Sequence, residues 1–112
     1  MGNNYIPARG HIIWISFTPQ AGREQSGRRP ALVLSHESYN QKVELAVMCP
    51  ITSKVKGYPF EVTLPEELAV EGVVLADQVR SLDWKMRNAE FACVVPDSVV
   101  DEVSRIVSVL IL

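Results

Sequence analysis

Residues 11–35 read His11-Ile12-Ile13-Trp14-Ile15-Ser16-Phe17, then Thr18-Pro19-Gln20-Ala21-Gly22-Arg23-Glu24-Gln25-Ser26-Gly27-Arg28-Arg29, then Pro30-Ala31-Leu32-Val33-Leu34-Ser35. The first and last runs are rich in β-branched and aliphatic residues and read as strands. Pro30 suits a strand's first position, where a missing ladder donor costs least. Between the strands, Pro19, Gly22, Ser26 and Gly27 mark residues 18–29 as a loop. Its length is unusual for a hairpin connection; loops of about 12 residues or more tend to carry function or to move. Gly22 and Gly27 predict a mobile one. The loop holds Arg23, Arg28 and Arg29 against Glu24, a local charge of +2 in a chain whose net charge is −2. Guanidinium forks match phosphate, and a carboxylate among them can move a proton. The plainer reading is a solvated loop whose exposed ion pairs are worth about 0–1 kcal/mol each.

Outward from this pair, residues 36–42 read as a polar turn and 44–51 as a third strand. A second loop, 52–59, follows; then come a strand at 60–64, an acidic connection at 65–72 and a fifth strand at 72–76. Residues 77–88 are a mixed segment carrying Arg80, Lys85 and Arg87, and 89–95 are the last strand. The period then changes. Val99, Val100, Val103, Ile106, Val107 and Leu110 fall on one face of a helix. Pro96 and Asp97 suit its first turn. The expected fold is therefore mainly β, a small barrel of five or six short strands closed by one C-terminal helix. The apolar end, Val109 to Leu112, would suit packing on a second copy.

With 112 residues, 47% of them apolar and 21% charged, the chain has the composition of one globular domain, residues 1–112. No apolar run approaches the roughly 18 residues of a membrane span. The start, Met1 to Ile6, has neither the pattern of a signal peptide nor that of a myristoylation site. Cys49 and Cys93 sit in apolar strands and read as buried thiols. With two scattered histidines they make no recognised metal-ligand spacing. The mild acidity argues against bulk polyanion binding but not against a local site. Segment 61–77 carries five carboxylates and no base, so one face is expected to take an anion while the acidic one stays solvated.

Three further constellations can carry chemistry. Thr52 and Ser53, with Lys54 and Lys56, follow strand three; their hydroxyls can bond phosphate oxygen or local backbone. In Gly57-Tyr58-Pro59-Phe60, Tyr58 can stack on an unpaired base, whereas Phe60 reads as core. Asp77 and Gln78 can read base edges or cap a turn. His11 and His36 lie outside the Arg-rich loop, so any phosphodiester chemistry would proceed without a histidine pair. Ser35 and Ser38 have no nucleophile motif around them. Trp14 and Trp84 read as core or interface.

Taken together, these blocks resemble the MazF/PemK-type toxin family of bacterial toxin–antitoxin modules. The resemblance is carried by Gly10 to Ile15, Glu24 to Ser35, Cys49 to Ser53, Lys56 to Val62 and Leu75 to Trp84, in order along nearly the whole chain. It implies an SH3-like barrel (MazF/CcdB-like) with a C-terminal helix. It also implies a homodimer, and a cytoplasmic, metal-independent endoribonuclease that cuts single-stranded RNA at short motifs, with no cofactor, and is neutralised by a cognate MazE-like antitoxin. Residue by residue, Arg29 matches the family's catalytic arginine, Thr52 its catalytic threonine and Glu24 an implicated carboxylate. Ser53 stands where some relatives have a second threonine, and Arg28 where some have histidine. Specificity is expected from Lys56, Tyr58, Gln78 and Arg80, with Arg23, Arg28, Ser53, Lys54 and Asp77 as further RNA contacts. A CcdB-like poison of DNA gyrase on the same fold is the alternative, and an RNA-binding module without chemistry a third.

Overall fold

The computed structural model describes residues 4–17 and 27–112. Its strands are His11–Ser16 (β1), Arg28–Val33 (β2), Ala46–Thr52 (β3), Glu61–Thr63 (β4), Val73–Leu75 (β5), Arg80–Leu82 (β6) and Glu90–Val94 (β7). Helices are Glu37–Val43 (α1) and Asp97–Ile111 (α2), with a 3-10 turn at Ala76–Gln78. The hydrogen-bonded order is β4-β5-β3-β2-β1-β7, with β6 also on β3, and these strands pair antiparallel throughout. Among the described residues β4 and β7 end this path, so the expected barrel is not a closed ring of hydrogen-bonded strands.

Strands β1 to β3 read as unbroken apolar runs because both of their faces are covered. Ile12, Leu32 and Cys49 point into one cluster, capped by Val99, Val100 and Val103 of α2. Ile13, Ile15, Ala31, Val33 and Met48 point into a second, with Leu82 and Trp84. Each fully buried aliphatic side chain of this size contributes about 1.5–3 kcal/mol. The valine stripe thus overrides weak helix propensity, but it fades along α2: Leu110 is exposed, as are Val109, Ile111 and Leu112.

Residues 36–42 are not a turn but most of α1. The helix has no apolar stripe to betray it; it is pinned by Asn40, whose side chain is fully buried. The Asn40 amide donates to the carbonyls of Pro7 (2.8 Å) and Ser35 (3.1 Å), and its Oδ1 accepts from the Ser35 hydroxyl (2.6 Å). The Asn40 backbone carbonyl accepts from the Trp84 indole at 3.0 Å. Glu44, left-handed at φ 61°, ends the helix. The mixed segment 77–88 also hides β6, whose three residues are too few to show a period. Cys49 is buried as expected, and burial, with the Asp77 charge behind it, pushes its thiol up to about 12. Cys93 is only half-buried on β7, at the sheet edge, and both thiols are free.

Candidate active site

The site grows from the register of β2 and β3. Ala31 pairs with Pro50, Leu32 with Cys49 and Val33 with Met48. The ladder ends at the Ala31–Pro50 pair; Arg29 on β2 and Thr52 on β3 lie just past it, at the same end of the two strands, and line one cleft. On the other side of β2, Trp14 pairs with Pro30 and Ile15 with Arg29. An open cleft of about 450 Å³ lies at these strand ends, lined by Trp14, Arg29, Pro30, Ile51, Thr52, Ser53, Lys54, Ala69, Val70 and Glu71.

Thr52 is held from two sides. Its Oγ1 accepts the Lys54 backbone N–H at 3.1 Å, which leaves the hydroxyl proton to donate outward. The local-backbone and phosphate roles of this hydroxyl are therefore compatible. From β5, Val73 pairs with Thr52, and the preceding Gly72 has φ 126°. A side chain there would place Cβ only 2.2 Å from the Thr52 carbonyl oxygen. Glycine is what lets the acidic connection close on the Thr52 backbone.

Arg29 is exposed, and among the described residues its guanidinium makes no hydrogen bond or ion pair. Arg28, its neighbour, is engaged. It donates to the carbonyls of Trp14 (3.0 Å) and Asn88 (2.6 Å) and pairs with Glu90 at 3.2 Å. Arg28 therefore ties β1, β2 and β7 together, although it remains exposed. Arg23 and Glu24 lie outside the described residues.

The loop after β3 is organised by Glu61, whose carboxylate accepts the backbone N–H groups of Lys56 and Gly57. Tyr58 is 50% exposed and stacks on Phe60 at 5.1 Å and 20°. Phe60 is thus half-buried under Tyr58 rather than in the core. Tyr58 keeps a ring face toward solvent, and Lys54 and Lys56 are exposed beside it.

Asp77, Gln78 and Arg80 are exposed but do not line the cleft. Arg80 pairs with Met48 on β3, about 13 Å along the strand from Thr52 at ordinary strand rise. Its guanidinium sits over the Phe17 ring, 5.7 Å from the centroid. His11 is in an aromatic cluster with Tyr5 and Phe91 and accepts a 2.7 Å hydrogen bond from the Tyr5 hydroxyl. Burial holds the His11 pKa below its ordinary value, against the Glu37 charge. His36 stands at the N-cap of α1.

Two cleft residues are not evident from the chain alone. Trp84 is core, but Trp14 is 37% exposed and walls the cleft. Glu71 belongs to the acidic segment 61–77 expected to stay on a solvated face, yet it shares the cleft with Arg29. Trp14 could have been found from its register with Pro30; nothing in the sequence brings Glu71 to Thr52.

The family model of the PemK-like, MazF-like toxins of type II toxin–antitoxin systems matches residues 8–111. An endoribonuclease toxin MazF from Escherichia coli K12 is 47% identical over 89 residues, covering 80% of this chain and 79% of that protein. The endoribonuclease PemK of Escherichia coli is 35% identical, covering 85% and 74%. A MazE–MazF crystal structure from Deinococcus radiodurans superposes with a TM-score of 0.90 at 56% identity, covering 96% of each chain. The chain belongs to the PemK-like, MazF-like toxins of type II toxin–antitoxin systems.

Proposed function

We propose that this toxin is an endoribonuclease that cuts single-stranded RNA in the cleft between Arg29 and Thr52, within one domain spanning residues 1–112. The observation that supports the reading is one cleft lined by both an uncommitted arginine, Arg29, and a threonine, Thr52, whose hydroxyl oxygen already accepts a backbone N–H and so has its proton left to donate. The ribose 2′-oxygen attacks the adjacent phosphorus as the bond to the 5′-oxygen breaks. A 2′,3′-cyclic phosphate and a 5′-OH end result, and the leaving oxygen takes a proton from water. Arg29 and Thr52 stabilise the charge that builds on the phosphorane, and preorganised donors of this kind usually supply most of the rate enhancement in such a site. Glu24 accepts the 2′-OH proton; an arginine base is excluded because guanidinium stays protonated. The step needs no metal or cofactor. Lys54, Lys56 and Tyr58 extend the binding path, by charge and by stacking on an unpaired base.

The endoribonuclease relatives give the gyrase-poison alternative no support. The MazE–MazF complex of a relative supports an antitoxin as partner, here one whose acidic or aromatic tail fills the RNA cleft. A homodimer is proposed from the exposed apolar end of α2, and the cytoplasm, where mRNA is, as the site of action. The test incubates the protein with defined single-stranded RNA and maps the 5′ ends. Cuts at one short motif are expected, lost in Arg29→Ala and lost when the scissile ribose is replaced by deoxyribose. Cutting that survives deoxyribose refutes the mechanism; gyrase inhibition with intact RNA refutes the function.

A further inference from the structure

Glu71 is an acidic residue in a cleft that the reading above assigns to phosphate, and the backbone that follows it is anchored there. Gly72, the next residue, packs on the Thr52 carbonyl, Val73 pairs with Thr52, and the Gly72 carbonyl accepts the Leu64 N–H at 3.0 Å. Glu71 therefore cannot drift from Thr52 without breaking the β3–β5 ladder. Among the described residues its carboxylate accepts no hydrogen bond and pairs with no cation, although Arg29 and Lys54 line the same cleft.

A carboxylate beside a phosphate site repels RNA, so its fixed placement needs a compensating contact. An ionised carboxylate only accepts hydrogen bonds. Apart from the ribose hydroxyl, an RNA strand offers donors on its bases. Guanine presents N1–H and its 2-amino group side by side, adenine and cytosine one amino group each, and uracil no amino group. Trp14, 37% exposed in the same cleft, supplies a ring face on which an unstacked base can lie. We infer that Glu71 reads a base beside the scissile phosphate, selecting one with an exocyclic amino group, guanine best, while that base lies against Trp14. The inference rests on the RNA-cleaving reading of the cleft and names its specificity contact.

The experiment uses a set of short RNAs that vary one position at a time on either side of the cut. Inosine, purine riboside and pyrimidin-2-one riboside replace guanosine, adenosine and cytidine, each lacking only the amino group. Cleavage is measured on these, and binding on copies carrying deoxyribose at the scissile nucleotide, for the wild type and Glu71→Gln. At one position the wild type should lose about tenfold or more on amino-group removal. Glu71→Gln should lose much less, with rates on uracil-containing substrates held or raised. A uniform change on every substrate, or an unchanged preference in Glu71→Gln, overturns the inference while leaving the nuclease reading intact. Glu71-dependent base preference in binding without any cutting sinks the nuclease reading instead and sustains the base contact. Neither binding nor cutting sinks both.

Discussion

Gly72→Ala tests how the site is built, because its cost can be worked from the geometry. An added Cβ would meet the Thr52 carbonyl oxygen at 2.2 Å, its carbon at 2.9 Å and the Ser53 Cα at 3.1 Å. All three are backbone atoms, so no side chain can swing aside. Since Cβ contacts under 3.0 Å essentially never occur, the two segments must separate by nearly 1 Å. Forcing alanine to φ 126° costs about 1–3 kcal/mol, and prying apart a packed contact about as much again. A loss of roughly 2–6 kcal/mol is expected in urea unfolding. Displacing Thr52 by about 1 Å should also cut the rate per folded molecule on the order of 100-fold. Gly57→Ala is the control, since its added Cβ meets nothing within 4 Å although φ is 82°; it should cost only about 1 kcal/mol. If Gly72→Ala is as mild as Gly57→Ala, the close-approach argument is wrong. If it loses stability but the remaining folded protein cuts at full rate, Gly72 does not position Thr52 for catalysis.

Thr52→Val keeps the shape but removes the outward donor, and cleavage should fall about 100- to 1,000-fold; Thr52→Ser, which keeps the hydroxyl, should restore most of the rate, and a mild Thr52→Val result counts against the phosphorane contact. Asn40→Ala leaves the Ser35 hydroxyl and the Pro7 carbonyl without their buried partner, so chemical denaturation should show about 2–4 kcal/mol lost. Arg28→Ala breaks the bonds to Trp14, Asn88 and Glu90, and as these are exposed the melting temperature should drop by only about 4 °C; RNA affinity measured by filter binding should change little. His11 has its folded pKa below the unfolded value near 6.5, so the unfolded chain binds more protons below that pH. Stability should therefore fall as pH drops from about 6.5 and level off beneath the lowered folded value; His11→Gln should lose that share of the slope in pH-dependent melts.

Much of the fold was legible because burial on both faces writes itself into composition. Strands β1, β2 and β3 and the valine stripe of α2 are apolar for reasons that need no partner to be seen. Helix α1 was not legible, since a buried polar knot around Asn40 holds it and such a knot has no period. β6 is too short to carry a pattern. At the site, Arg29 and Thr52 were candidates from the chain, but their sharing one cleft comes from the packing of β1, β2 and β3. The charge of Arg28 suggested phosphate as strongly as that of Arg29; only the carbonyls around it reveal a strap between strands. The place of Glu71 was not legible because it depends on Gly72 having no side chain, a property of two segments together. Glu24 and Arg23, read from the charge of the loop, lie outside the described residues, and the catalytic role of Glu24 rests on the resemblance.

Arg29 and Thr52 are proposed to act as one unit on one phosphate. A double-mutant cycle with Arg29→Ala, Thr52→Val and the pair, read as single-turnover cleavage of one defined RNA, tests it most directly. Each single change should cost on the order of 100-fold or more, and the double mutant should be scarcely worse than the poorer single one. Losses that multiply independently, or near-normal cutting by either single mutant, would contradict it.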